Sequence, residues 1–326
     1  MFQNILKANP KREYKNIEML RFLFMLSIIA NHLNQGVTSI HTEIPIYKNF
    51  IEFTFWSWIP VDFFFVIAGF FMFLKSDFSK TFTSFAINKL KRFMPTILFV
   101  LLITYILSLL TPLEWLKYEN LFTILNIQNL GLTLDNGNIP PSWFVSSLFW
   151  SMCFYFYLFK ITKKETFNLI TVCLTIACYA IFVRVPEYWN IINYHYFINM
   201  GMVRGLAGIG MGYILCLLYQ NNSQKIKDFN PSYWLKILIT ILEIYIFKIL
   251  FSYLCFYSFS YDNILYLVIL FIFLFSLFIM KKGLLTQMLD NNFSVFLGKY
   301  TYSIFIVHYL IKDLWKNTYV KHMTLL

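Results

Sequence analysis

Runs of roughly 20 apolar residues recur along this chain, each close to the length an α-helix needs to cross a bilayer. No other feature narrows the fold as much. In lipid every backbone polar group must be satisfied internally, and a run of this length does so as a helix. Spans are predicted near Ile17–Leu33, Phe53–Leu74, Phe93–Thr111, Trp143–Phe159, Phe167–Val183, Phe197–Tyr219, Tyr233–Phe256, Ile264–Met280 and Val295–Leu314. Lys75, Lys80, Lys89, Lys91 and Arg92 follow the second span. Lys160, Lys163 and Lys164 follow the fourth, Lys225 and Lys227 the sixth, and Lys281 and Lys282 the eighth. The intervening loops hold Glu43, Glu114, Glu119, Asp135 and Asp262 with few basic residues. This alternation predicts a multi-pass protein of the cell (inner or plasma) membrane with a cytoplasmic N-terminus.

Nine crossings would leave Lys312, Lys316 and Lys321 outside, against that rule. A tenth crossing or a re-entrant piece within Leu113–Asn138 would remove the conflict. The expected fold is all-α, a polytopic integral membrane helix bundle of about nine to ten transmembrane helices. It forms one domain over residues 1–326, without a separate soluble domain.

Composition agrees. The chain is 59% hydrophobic and 13% charged, against about 25% charged in soluble domains. A net charge of +11 would suggest nucleic acid in a soluble protein. Here the basic residues sit in short loops between apolar runs, so the expected partner is the lipid bilayer and no nucleic acid. The five cysteines show no zinc-finger spacing and an odd count. They predict neither a metal site nor a disulfide framework, and read as small apolar core residues. Lys7, Lys11, Arg12 and Lys15 precede the first run without a small-residue cleavage site, which predicts an uncleaved first span.

That first span is unusual. Glu18 to His32 reads EMLRFLFMLSIIANH, apolar but for Glu18, Arg21, Asn31 and His32. At 100° per residue, His32 returns to within roughly 20° of Arg21, about 16 Å further along the axis. Glu18 falls on the same side. Ionisable groups in a membrane helix usually face a bundle interior or a wet cavity. The blander reading has Arg21 snorkelling to the interface and His32 capping the far end.

Further polar positions lie elsewhere. Asp62 opens PVDFFFVIAGFF, where a helix-start carboxylate and a packing glycine, Gly69, are an adequate structural account. Lys89, Lys91 and Arg92 precede Pro95; they suit a topology signal, anionic lipid or a phosphate clamp. Trp143 in PPSWFVSSLFW suits an interfacial anchor. Arg204 in MVRGLAGIGMGY lies near an outer end, beside a small-residue face of Gly205, Gly208 and Gly212, and can snorkel. Glu243 and Lys248 suit a mutual pair. Tyr302 and His308 lie in the run LGKYTYSIFIVH, six apart, so they need not share a face.

Taken together and in this order, these pieces resemble the membrane-bound acyltransferase-3 family, over nearly the whole length. The family's Arg-x10-His matches Arg21 and His32. Its V-D-x-F-F-x-x-S-G-F matches Val61 to Phe70, with Ala68 for Ser. Its Arg-x-x-Arg before Pro matches Lys89 and Arg92, with Lys first. Its W-x-L matches Trp143 to Val145; a Glu that many relatives carry shortly afterwards is replaced in the stretch Ser147, Leu148, Phe149. Its closing L-G-x-x-S-Y-x-x-Y-L-x-H matches Leu297 to His308, with Thr301, Phe305 and Ile306 as departures.

The resemblance implies a membrane O-acyltransferase, in the first instance an O-acetyltransferase. It would move an acyl group from cytoplasmic acetyl-CoA, or another acyl-CoA, to a hydroxyl of a cell-surface or secreted polysaccharide. No bound cofactor is implied; acyl-CoA is a substrate, and the partners are acyl-CoA, a glycan acceptor, the bilayer and cell-envelope assembly proteins. His32 would be the general base or an acyl carrier, and Arg21 would bind donor or steady negative charge. Lys89 and Arg92 would hold CoA phosphates. Glu18, Asp62, Trp143, Arg204, Tyr302 and His308 would line the site. Two alternatives stay open: a transporter or flippase for a glycan or small solute, which also needs buried Arg, His and Asp, and a catalytically inactive membrane relative.

Overall fold

The computed structural model describes residues 14–38, 59–110, 117–132, 138–184, 194–195, 198–255 and 263–323. Lys7, Lys11, Arg12, Glu43, Glu114, Asp135, Asp262 and the beginning of the span expected at Phe53 lie outside these residues. The described helices are α1 (Lys15–Thr38), α2 (Pro60–Lys75), α3 (Phe82–Leu110), α4 (Asn120–Ile124), α5 (Ser142–Ile161) and α6 (Lys164–Arg184). They continue with α7 (Met200–Asn221), α8 (Ser223–Asp228), α9 (Tyr233–Cys255), α10 (Asn263–Met280), α11 (Leu284–Met288) and α12 (Asn292–Met323). Ahead of α7, Tyr194–His195 pairs antiparallel with Ile198–Asn199, with Tyr194 opposite Asn199. Helices thus dominate as the sequence predicts.

The expected spans are mainly helical where they are described; Ile198–Asn199, at the start of the sixth, pairs as a strand. Among the described residues, four helices are long and apolar enough to cross a membrane by length and composition: Phe82–Leu110, Ser142–Ile161, Lys164–Ile181 and Met200–Asn221. The others fall short for identifiable reasons. Helix α1 carries Glu18, Arg21, Asn31 and His32, and α9 carries Lys236, Glu243 and Lys248. For α10 the described apolar stretch is Leu265–Met280. Along α3, Leu98, Leu102, Tyr105, Ile106, Leu109 and Leu110 are exposed at helical spacing. A stripe of that size on an uncovered face is a surface for lipid tails.

The chain divides into two compact units. The first takes residues up to Phe64, Phe73–Lys75 and Tyr213–Tyr302. Its centre is an aromatic cluster. Phe24 of α1 lies 5.2 Å from Phe63, 5.5 Å from Phe251 and 5.7 Å from Phe271 between ring centroids. Phe63 stacks on Phe271 at 4.0 Å. The N-terminus of α1 is anchored by distant residues. Asp290 accepts hydrogen bonds from the backbone N–H of Lys15 (3.0 Å) and Asn16 (3.4 Å), and pairs with Lys281 at 2.7 Å. Its carboxylate therefore meets the free N–H groups that begin a helix, where negative charge is favoured. Asn16 Nδ2 donates to the Phe278 carbonyl at 2.6 Å. Glu243 does not pair with Lys248. Its buried carboxylate accepts from the Thr286 hydroxyl at 2.8 Å, which leaves it structurally committed.

The second unit takes Phe65–Met72, Ser76–Gly212 and residues from Ser303 onward. Here α2 and α7 touch backbone to backbone. A Cβ placed on Gly69 would lie 2.7 Å from the Ile209 Cα, and one on Gly212 would lie 2.8 Å from the Gly69 carbonyl carbon. Side chains at these two positions would force the helices apart, which is why small residues occur there. Cys153, Cys178 and Cys216 are buried as expected, whereas Cys173 is exposed.

Candidate functional site

Arg21 and His32 lie on one unbroken helix, α1, so the stripe inferred from their spacing exists. His32 does not cap its end, because the helix runs on to Thr38. Both side chains are half-buried, and Asn31 is buried. Arg21 is not a free snorkelling cation. Its Nη1 donates to Glu18 Oε2 at 2.7 Å, one turn earlier. Glu18 is in turn held from across the unit. A Cβ on Gly298 of α12 would collide with the Glu18 carboxylate and Cβ. The glycine of the closing LGKYTYS run is thus the surface against which Glu18 rests, and Glu18 orients Arg21. The glycine itself is the signal for this contact, but it does not say which helix it meets.

Asp62 is buried in the first turn of α2 and adjoins Phe63, whose ring packs on Phe24 of α1. The first unit therefore brings the helix start bearing Asp62 onto the helix bearing Arg21 and His32. Tyr302 of α12 is half-buried and belongs to the same unit.

The remaining candidates lie in the second unit. The basic cluster is on a helix instead of in a loop, since α3 starts at Phe82 and continues through Pro95. Lys89 and Arg92, three apart, consequently share a face. Lys89 is half-buried with its Nζ 5.1 Å from the centre of the Phe85 ring, while Arg92 is exposed. Phe85 stacks on Phe156 at 4.1 Å, and Lys160 Nζ lies 5.7 Å from the Phe156 ring. In the turn that leads into α3, hydrogen bonds from the hydroxyl and backbone N–H of Ser79 hold the exposed Asp77 carboxyl below its ordinary range.

Trp143 and Arg204 come together. The Arg204 guanidinium carbon is 5.1 Å from the Trp143 ring centre, and both residues are buried. Neither the interfacial-anchor reading of Trp143 nor the snorkelling reading of Arg204 survives. A guanidinium against an indole face is stabilised by the ring quadrupole, more so when water is excluded. Phe144, next to Trp143, is 5.7 Å from Phe305 of α12, which precedes His308 by one turn. His308 is buried, with Nδ1 2.5 Å from the Phe305 carbonyl.

Sequence reasoning missed one part of this unit. Residues 117–132, including α4, lie against the first turns of α5 through buried polar groups. The Asn126 carbonyl accepts from Ser146 Oγ at 3.0 Å and Trp150 Nε1 at 2.9 Å. Gln128 Nε2 donates to the Ser142 carbonyl at 2.9 Å. Asn129 Nδ2 donates to Ser147 Oγ, so Ser147, in the stretch where relatives carry Glu, has an amide partner. Not all of these groups are satisfied. Both side-chain ends of Asn126, Oε1 of Gln128 and the hydroxyls of Ser142 and Ser151 are buried without a hydrogen-bond partner. Each such group costs about 1–3 kcal/mol in a dry interior. No group of three or more potential metal ligands occurs among the described residues.

The fold and these positions define a membrane protein with a polar, partly charged interior. The chain matches the acyltransferase-3 family model, an acyltransferase domain, over residues 14–326. It therefore belongs to that family of membrane acyltransferases. Comparisons with curated proteins and with solved structures found no match.

Proposed function

We propose that this protein transfers an acyl group, most simply acetyl, from cytoplasmic acyl-CoA to a hydroxyl of an extracytoplasmic glycan. The observation that carries the reading is the family match over residues 14–326, which includes the helix bearing Arg21 and His32. The chain acts as one integral membrane domain of nine to ten crossings in the cell membrane, with its N-terminus in the cytoplasm.

The chemistry follows from residue types. A thioester is a good acyl donor, but a sugar hydroxyl is a poor nucleophile at neutral pH. His32 takes the hydroxyl proton as the oxygen attacks the thioester carbonyl carbon. The C–O bond forms, the C–S bond breaks, and the proton returns to the departing CoA thiolate. Arg21, oriented by Glu18, offers positive charge to the oxyanion that develops. Lys89 and Arg92 hold the donor's phosphates, Arg92 through its fork and Lys89 as a point charge. Asp62, Trp143, Arg204, Tyr302 and His308 line the path of donor or acceptor.

The test uses purified protein in lipid, radiolabelled acetyl-CoA and an extracytoplasmic glycan fraction. Wild type should yield labelled glycan and free CoA. His32→Ala should lower transfer by about 10²–10⁴-fold, the usual contribution of a general base. Equal rates in the two proteins would remove His32 from the mechanism. Absence of turnover in wild type would favour the transporter or inactive-relative readings.

A further inference from the structure

The loop of residues 117–132 and the first turns of α5 contain polar groups that the fold positions but does not satisfy. Asn126 is the clearest case. Its φ is +57°, in the left-handed region where Asn is enriched among residues other than glycine. Its carbonyl is fixed by Ser146 and the Trp150 indole. The side chain of Asn126 is 0% exposed, yet neither its amide nitrogen nor its amide oxygen has a partner. Gln128, 1% exposed, is tethered by its nitrogen to the Ser142 carbonyl, which leaves Oε1 unpartnered. Ser142, also 0% exposed, has an unpartnered hydroxyl. Ser142 and Ser146 are four apart and share the face of α5 that meets this loop.

The chemistry of these atoms selects the ligand. They offer two amide oxygens as acceptors, an amide N–H2 as donor and a hydroxyl as either. None is charged. An anion would face two amide oxygens without a counter-charge, and an acyl chain would leave every group unsatisfied. A saccharide hydroxyl both donates and accepts, and matches the set. We propose that residues Asn126, Gln128 and Ser142 form a neutral binding site for saccharide hydroxyls, which receives the acceptor of the acyl group. The identity of that occupant rests on the acyltransferase reading, and the sidedness agrees with it. With a cytoplasmic N-terminus, the α3–α5 connection lies on the outer side, where the acceptor arrives.

The test is saturation-transfer NMR on the full-length protein in nanodiscs, with maltotriose and chitotriose as probes. Ring protons of at least one trisaccharide should receive saturation from wild type. Asn126→Gly and Ser142→Ala should each weaken that binding by about fivefold, the worth of one buried hydrogen bond. Glycine tolerates the backbone of Asn126. Both substitutions remove atoms that make no hydrogen bond within the protein, so the unfolding temperature should hold or rise. The proposal is overturned if neither trisaccharide is bound, if the variants bind as wild type does, or if they lose stability without losing sugar. The last result would mean that ordered water alone completes these groups. Acetyl-CoA turnover in the same preparations separates the two readings. Turnover with unaltered sugar binding removes the site and keeps the acyltransferase. Sugar binding without turnover of any acyl-CoA does the reverse.

Discussion

The charged stripe of α1 and the serine stripe of α5 treat buried polarity in opposite ways. On α1 the charges are settled within the protein: Arg21 has Glu18 at 2.7 Å, and Glu18 has Gly298 against it. At α5 the neutral groups are held in place but left open, as at Ser142 and at Asn126 and Gln128 of the loop packed on it. The physical reason lies in the cost of each choice. An uncompensated charge away from water costs several kcal/mol, so it must be paired before any ligand arrives. A neutral amide or hydroxyl costs about 1–3 kcal/mol unpaired, which a folded chain tolerates at a few positions. A protein can therefore keep open binding valences in neutral groups and use charges as a fixed frame.

Four substitutions test that contrast. Arg21→Ala should have the largest effect, lowering acyl transfer about 10²-fold, the scale of one lost electrostatic donor. Because it also strands Glu18, Glu18→Gln with Arg21→Ala should recover stability that the single variant loses, as measured by thermal unfolding. Failure to recover would mean that the pair is not the frame. Gly298→Leu should come next. Leucine has no room beside Glu18, so the protein should lose about 1–3 kcal/mol of stability and part of its activity together. A neutral result would break the link between α12 and α1. Lys89→Arg should have the smallest effect. It restores forked donors to the helix face shared with Arg92, and KM for acyl-CoA should fall about two- to fivefold with kcat unchanged, the gain of one added charge-assisted contact. An unchanged KM would separate this face from the donor.

Much of the architecture was legible because apolar period and loop charge report where helices are and which of their faces are wet. Each of the nine expected segments overlaps a described helix, four of them long and apolar enough among the described residues to cross a membrane, and the closeness of Gly69 and Gly212 to neighbouring backbones follows from small residues in apolar runs. Periodicity reports a face without naming what meets it. Arg204 near a span end suits snorkelling as well as burial, and only tertiary packing sets it against Trp143. Glu243 and Lys248 looked like partners by proximity in sequence, yet Thr286 takes the carboxylate. Residues 117–132 were recognisable as a long loop of mixed polarity. Asn, Gln and Ser are ordinary loop residues, so their burial against α5 left no mark in the pattern. The same holds for the basic cluster, which the apolar run placed ahead of a helix that in fact starts at Phe82.

The contacts of α1 also set a schedule for biosynthesis. Glu18 and Arg21 are three residues apart and can pair as soon as their helix forms. The groups that hold α1 in place, at Phe278 and Asp290, are separated from it by 262 and 275 residues. At roughly 5–20 residues per second, the ribosome needs on the order of 15–60 s to deliver them. Throughout that interval α1 has only its internal ion pair to offset the charges of Glu18 and Arg21. A chain released before α10 is complete would carry the acid and base of its first helix and lack the residues that hold that helix in place.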